Sequence, residues 1–394
     1  MKKVLVIGAG FLQAFVIRKA KEMGYYTLTV DADPEAVGFL DADEHAVINI
    51  VDEEACLAYA KEKEIDGVLT AATDYGVLTA AYVSEKMSLP GIPYEVAKVI
   101  KNKYLTRKCL FENHVDDTKQ AYCVEMDTDM QALAEELTYP VMVKPCDGSG
   151  SRGASRVDRA EEFVDAAKTA IASSLTKRAT VESFVEGREY GAETIVVKGE
   201  PHVLAIMQKW MTKPPYYAEL GHAIPNDLSE EVENRAKECV AKAIKALGIT
   251  SGSVNMDMLI TEEGAVHIVD IGARMGGNLI GSHIIPLGTG IDYMGAMIRT
   301  AVGDEVQLVA GEKTPVATKL LAFGAGSIAY LPDMEELSKK YQVEITHHME
   351  AGAPVREYHN NLDGLGYVIA TSADVQEAEA RAEQVRQEIA KCIF

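Results

Sequence analysis

A chain of 394 residues is too long for a single hydrophobic core, so two or three domains are expected. Its formal charge of −21 excludes a nucleic-acid surface, which needs a basic footprint, and obliges any anionic ligand to find local cations. No apolar run approaches the roughly 20 residues of a membrane span, and the six scattered cysteines form no CxxC pair, which suits a reducing cytoplasm rather than a disulfide scaffold or a zinc site.

The opening MKKVLVIGAG has the lysines and apolar residues of a signal peptide, but the apolar part is short and no clear cleavage site follows, so it reads as a first strand. Residues 1–93 alternate strand and helix. KVLVIGAG, a helix over 11–23 and TLTVDAD make a βαβ start to a parallel sheet, continued by apolar runs at 45–50 and 67–70. Gly8, Gly10 and Asp31 outline a dinucleotide fingerprint, yet Gln13 stands where its third glycine belongs, so the reading is a Rossmann-like domain with another task. The loop with Thr73 and Asp74 sits where such sheets place ligands, or it caps a helix. Pro90, Gly91 and Pro93 punctuate a boundary. The basic run AKVIKNKYLTRK follows, with Lys101, Lys103, Arg107 and Lys108; a solvated helix face explains most such clusters.

In YPVMVKPCDGSGSRGASRV, Lys144 ends a strand that opens into a glycine-rich loop able to wrap amides around phosphate oxygens. Gly148 and Gly153 have Walker A spacing, but Ala154 replaces its lysine, which rejects a P-loop. A helix is expected from Asp158, with Glu161 as capping-box partner. TVESFVEGREYGAETIVV reads as strand, connector, strand, with Glu182 and Glu189 flanking the connector. HVLAIMQKW puts Lys209 at a strand end, and an irregular loop follows with Trp210 and His222. Asp227 is expected to cap a helix, with Glu230 three residues on, a stripe of Val232, Ala236, Val240, Ile244 and Leu247, and Gly248 as its stop.

The stretch NMDMLITEEGAVHIVDIGARMGGN reads as two strands, 254–260 and 265–271, joined by a turn at Glu262, Glu263 and Gly264. Asp257 and Asp270 interrupt otherwise apolar runs and can become neighbours across the hairpin. Two unpaired carboxylates about 4 Å apart repel by about 4 kcal/mol at an effective dielectric near 20, a penalty that a hard divalent cation removes. Arg274, four residues past Asp270, can face the same ligand; the bland alternative is a solvated hairpin. Residues from 304 read as a smaller unit with a terminal helix.

The ordered set VMVKP with its glycine loop, VESFVEGREY, the MDM strand and VDIGARMGGN resembles the ATP-grasp superfamily over almost the whole chain. The resemblance implies an α/β (α+β) ATP-grasp fold: a Rossmann-like parallel-sheet domain over 1–93, a nucleotide-binding domain over 94–303 with a small lid lobe at about 120–186, and a small C-terminal α/β subdomain over 304–394. It also implies roles. Lys103 and Lys144 are similar to the lysines that hold phosphates, and residues 147–153 to the glycine-rich loop, with Ser149, Gly150 and Ser151 as nucleotide contacts. Glu182 matches the acid that accepts from the adenine amino group. Val185 matches the connector backbone contact, beside Ser183 and Phe184. Glu189 matches the ribose acid, and Leu259 lines the nucleotide pocket. Lys209 resembles a further phosphate lysine, Asp257 and Asp270 the metal ligands, and Arg274 the arginine facing the transferred phosphoryl. Gly272 departs from the pattern: many relatives have a metal-ligating asparagine there.

The GAR-x-GGN ending and the ELGHAIP loop are most similar to ligases that join amino acids into dipeptides, which would bring His222 near the substrate. The resemblance implies ATP and one or two Mg²⁺ ions, with Mn²⁺ as a substitute, small carboxylate and amine substrates, no nucleic-acid or membrane partner, and a cytoplasmic homodimer. The implied reaction forms an amide through an acylphosphate and releases ADP and phosphate. Carboxylases, carbamoyl-phosphate-forming relatives and a non-catalytic nucleotide-binding protein are the alternatives; a biotin carrier motif is absent.

Overall fold

The computed structural model of the protein describes residues 1–147, 153–213 and 217–394. Ser149, Gly150 and Ser151, expected as nucleotide contacts, lie outside the described residues, as do residues 214–216 of the loop before His222.

Strands β1 (Lys3–Ile7), β2 (Tyr26–Asp31), β3 (Glu44–Val47) and β4 (Gly67–Thr70) form a parallel sheet in the order β3-β2-β1-β4. β1 and β4 are buried almost throughout, as strands of a covered parallel sheet are. The helix after β1 spans Phe11–Glu22. Inside it Gln13 is buried and donates to the Ala71 carbonyl, and it packs over Gly8 and Gly10. The departure from the dinucleotide fingerprint is thus a side chain lying across the glycine turn.

Strands β5 (Ala121–Val124), β6 (Val141–Pro145), β7 (Ser155–Val157) and β8 (Ala179–Ser183) form an antiparallel sheet ordered β5-β8-β6-β7. The helix Ala160–Ser173 covers it with Phe163, Ala167, Ala170 and Ile171. This helix starts two residues later than expected. Arg159 stays extended as its N-cap, and Glu162, not Glu161, accepts from the Asp158 N–H at 3.3 Å.

Next come β9 (Arg188–Val197), β10 (Glu200–Met211), β11 (Glu219–Ile224), β12 (Gly252–Ile260) and β13 (Val266–Gly272). They are followed by β14 (Val316–Leu320), β15 (Gly326–Ser327), β16 (Val343–His347), β17 (Pro354–Val355) and β18 (Gly366–Thr371). β15 and β17 pair with each other, and the rest form one sheet ordered β13-β12-β9-β10-β11-β14-β18-β16. The sheet therefore runs across the boundary expected at residue 304. β14 bonds to β11, pairing Ala317 with Ala223, because the β11 edge needs a partner to satisfy its backbone groups.

The helix Glu230–Leu247 packs on this sheet through Ala236, Val240, Ala243, Ile244 and Leu247. Its cap is Ser229, which accepts from the Val232 N–H; Asp227, expected in that role, instead pairs with Arg188 at 2.6 Å and accepts from the Tyr190 hydroxyl. Gly248 ends the helix at φ +75°, a conformation a Cβ disfavours. The helices Tyr293–Ala301 and Val375–Ala390 cover other parts of the sheet. Among the described residues no helix is long and apolar enough to cross a membrane, and all six cysteines are free thiols.

Candidate active site

The register of the β12–β13 hairpin sets Asp257 opposite Asp270. Strict alternation would send Asp270 to the core face with Ile268, which is 1% exposed. A β-bulge prevents this. Met258 pairs with Ile268 while Asp257 pairs with Asp270, so Val269 is the extra residue, and the pattern of faces reverses across it. Asn255, Asp257 and Leu259 are the half-buried residues of β12, alternating with the buried Val254, Met256, Met258 and Ile260.

The mutual repulsion expected of the two acids is relieved by the protein itself. Lys103 Nζ lies 2.6 Å from Asp270, and Lys209 Nζ lies 2.7 Å from Asp257, 2.7 Å from Glu219 and 2.9 Å from Glu189. The Lys209 side chain is 1% exposed and passes beside Gly191, where a Cβ would meet Lys209 and Met207 carbons. Burial disfavours this ammonium, but the three carboxylates outweigh it and hold its pKa well above the lysine range. One cation does not neutralise three acids. Burial pushes the Asp257 carboxyl up to about 7; Lys209 opposes the shift, and Glu189 and Glu219 add to it.

This negative surplus, on hard oxygen donors beside a cross-strand acid pair, fits a divalent cation. Among the described residues no three acidic, histidine or cysteine side chains form a ready-made metal cage. Mg²⁺ does not need one, since it is held by one or two carboxylates together with substrate phosphates.

Arg274 faces this pair from the loop after β13, across a cleft lined also by Asp74, Lys103, Asn255, Asp257 and Asp270. Its Nε and Nη2 donate to the two oxygens of Asp74, at 3.0 and 3.3 Å. Burial opposes the charge on both partners, yet their attraction prevails: Asp74 is held below the usual carboxylate range and Arg274 above its own. Gly272 lies under this ion pair. A Cβ there would come within 3.1 Å of Arg274 Cζ and 3.2 Å of Asp74 Oδ1. The space that an asparagine side chain would need is thus filled by the Asp74–Arg274 pair.

In an adjoining pocket that shares Lys103 and Asp270 with this cleft, Arg107 donates to Glu182 Oε2 at 3.0 Å, and Lys144 contacts Glu182 Oε1 at 2.5 Å. Burial opposes ionisation of Glu182, but Lys144 and then Arg107 hold its carboxyl below the usual range. Arg107, read from the sequence as part of a solvated cluster, is 5% exposed and also binds Asp116 at 2.7 Å and the Ile268 carbonyl. Lys144 donates to the carbonyl of the bulged Val269 at 3.4 Å. Phe184 lies under the Arg156 guanidinium, 4.3 Å from ring centroid to Cζ, and its N–H donates to the Pro140 carbonyl. Val185 follows on the connector, and the Ser183 hydroxyl, at the end of β8, is buried with no hydrogen-bond partner among the described residues. Glu189 and Leu259 face each other across β9 and β12.

His222 is fully buried in β11, and among the described residues neither ring nitrogen finds a hydrogen-bond partner. Burial drives its imidazole down to about 4, leaving it neutral near pH 7. Its Nε2 lies 3.9 Å from Glu219. Glu219 ties β11 to the loop after Arg274 and to the segment between β17 and β18: its carboxylate accepts from Asn278 and, at 3.2 Å, from Asn361, and its backbone carbonyl accepts from the Tyr358 hydroxyl. Besides Arg107, sequence reasoning missed Glu193 and Glu219. Glu193 had a usable signal, a single acid inside the apolar run GAETIVV, the same signal that singled out Asp257 and Asp270.

Residues 137–282 match the ATP-grasp domain family, and residues 319–390 match L-amino acid ligase C-terminal domain 2. The uncharacterized protein y4rH of Sinorhizobium fredii is 24% identical over 408 residues, covering 99% of this chain and 83% of that protein. Human carnosine synthase 1 is 24% identical over 335 residues, or 77% of this chain and 40% of that protein. The crystal structure of L-amino acid ligase from Bacillus licheniformis has a TM-score of 0.82 at 23% identity, with 98% of each chain covered. The first match runs from β6 through β13 and includes the acid hairpin, and the second runs from the end of β14 to the terminal helix. The chain carries an ATP-grasp domain over residues 137–282, followed by an L-amino acid ligase C-terminal domain 2 over residues 319–390.

Proposed function

We propose that the protein is an ATP-dependent carboxylate–amine ligase that joins amino acids into a dipeptide. The observation that carries this reading is the pairing of each hairpin acid with a lysine, Asp270 with half-buried Lys103 and Asp257 with buried Lys209, opposite Arg274. Such pairs are poised for exchange. Asp257 and Asp270 would hold the Mg²⁺ that accompanies ATP, and Lys103 and Lys209 would turn from carboxylate to phosphate oxygens. Mg²⁺, when bound, neutralises phosphate charge, and the positioning of charges rather than a protein nucleophile supplies most of the catalysis in phosphoryl transfer.

Glu182, the 183–185 connector, Glu189 and Leu259 hold the nucleoside end, and Lys144 joins the lysines on the phosphates. A substrate carboxylate oxygen then attacks the γ-phosphorus, the bond to the β–γ bridging oxygen breaks, and ADP leaves. Arg274 stabilises the charge on the transferred phosphoryl. An amine nitrogen next attacks the acyl carbon, the carbon–oxygen bond to phosphate breaks, and phosphate departs with the electron pair while the amine loses a proton. His222, with no exposed atom, acts as a positioning residue behind Glu219. The L-amino acid ligase C-terminal domain supports amino acids as the substrates. A cytoplasmic homodimer completes the proposal, in keeping with six unpaired thiols.

The test is a screen of amino-acid pairs for phosphate and ADP release with ATP and Mg²⁺, read alongside mass spectrometry of the product. Release that requires both an acid and an amine supports the reading. Stimulation by bicarbonate alone would indicate carboxylase or carbamoyl-phosphate chemistry, and nucleotide binding without turnover on any pair would refute catalysis.

A further inference from the structure

Glu193 lies in the middle of β9 with no exposed surface, and none of the steps above uses it. A buried carboxylate is tolerated only where donors surround it. Three converge here: the Tyr293 hydroxyl at 2.6 Å and the Gly276 N–H at 2.8 Å on Oε1, and the Asn255 side-chain amide at 2.9 Å on Oε2. Each donor comes from a different element: the helix Tyr293–Ala301, the loop after β13, and β12. Gly276 is required for this approach, since a Cβ there would lie 2.8 Å from Glu193 Oε2.

The Met275–Gly276 peptide is held at both ends. Its N–H donates to Glu193 of the central sheet. Its carbonyl accepts from the Ala72 N–H at 3.0 Å, in the N-terminal domain, and from Arg274 Nη1 at 3.3 Å. Ala72 is two residues from Asp74, which grips the same guanidinium. The backbone next to Arg274 is therefore fixed between two domains, and Glu193 is the anchor on the sheet side.

We propose that Glu193 is a positioning residue for the phosphoryl-transfer step: it holds the Met275–Gly276 peptide so that Arg274 meets the transferred group in register with Asp257 and Asp270. A carboxylate suits the task because it only accepts. Glutamine at this position would turn an N–H toward donors already in place. The proposal rests on Arg274 acting as described above.

Glu193→Gln is expected to lower kcat by about 10- to 100-fold, the scale for an ångström-sized misplacement of a catalytic group, with the KM for ATP within about twofold of wild type. In an Arg274→Ala background the same change should have almost no further effect, since both act through one group. Glu193→Ala, which removes both acceptor oxygens, should accelerate hydrogen exchange at the Gly276 amide at least about tenfold; Glu193→Gln leaves one oxygen that can still accept from it. Should Glu193→Gln fail to fold, Tyr293→Phe removes one donor and should give a smaller loss of kcat, roughly 3- to 10-fold, at unchanged KM. Unchanged kcat, equal losses in kcat and ATP affinity, or additivity with Arg274→Ala would overturn the proposal. A wild-type protein that releases no phosphate speaks against the proposed function instead, and the amide-exchange result then decides this inference alone.

Discussion

Replacing Lys209 by methionine keeps most of the volume of a buried stem and removes one positive charge from among three carboxylates. The ammonium touches Asp257, Glu219 and Glu189 at 2.7, 2.7 and 2.9 Å with its side chain 1% exposed. Breaking a buried pair by removing one partner costs about 3–5 kcal/mol. Here the loss falls near the lower end at pH 7, because Asp257, already at about 7, takes up a proton readily once the lysine is gone.

That carboxyl sits above its unfolded value of 3.8, so it contributes stability that is full below 3.8 and lost as pH rises through 7. Removing Lys209 raises it further, and the gap between variant and wild type should widen from pH 6 to pH 8.5. Saturating Mg²⁺ should restore roughly 1–3 kcal/mol to the variant by binding only the folded state, and less to wild type, whose acids are already partly neutralised. Urea unfolding of both proteins, with and without Mg²⁺ at the two pH values, measures all of this. A loss under about 1 kcal/mol, or equal stabilisation of both proteins by Mg²⁺, refutes the charge argument.

Arg274→Ala should leave ATP affinity nearly intact and lower turnover by roughly 10²–10³, the scale of one lost transition-state charge contact; steady-state kinetics with nucleotide-binding calorimetry check it. Gly272→Asn should displace the Asp74–Arg274 pair, and it should lower turnover without raising Mg²⁺ affinity, read from the metal dependence of the rate. His222 is held near 4, below the 6.5 of an unfolded chain, so its contribution to stability is full above 6.5 and declines as pH falls through 4. His222→Leu should remove that decline and gain about 2 kcal/mol on wild type between pH 7.5 and pH 5, visible as a relative shift in urea midpoints.

Much of the architecture was legible from local pattern. The apolar stripe of the helix Glu230–Leu247, its Gly248 stop, and the two acids breaking apolar strands are all signals within a few residues. What local pattern could not reach were partners far apart in sequence. Asp74 and Arg274 are 200 residues apart, and Lys103 and Asp270 are 167 apart. Arg107 looked solvated because its neighbours in sequence are charged, while its partners Glu182 and Ile268 come from β8 and the hairpin. The two misplaced caps share one cause: Asp227 and Glu161 had suitable spacing, but nearby Ser229 and Glu162 met the free amides. The bulge at Val269, which turns Asp270 toward the cleft, left no mark in the sequence.

Because β14 lies between β11 and β18, the C-terminal segment is laced into the sheet that bears the metal-ligand candidates. It cannot be clipped off as a detachable module. A chain cut at residue 303 would leave β11 with a row of bare amides and carbonyls, an invitation for another copy to dock strand to strand. Variation in substrate choice has to be written into side chains and loops on a framework whose stitching stays constant.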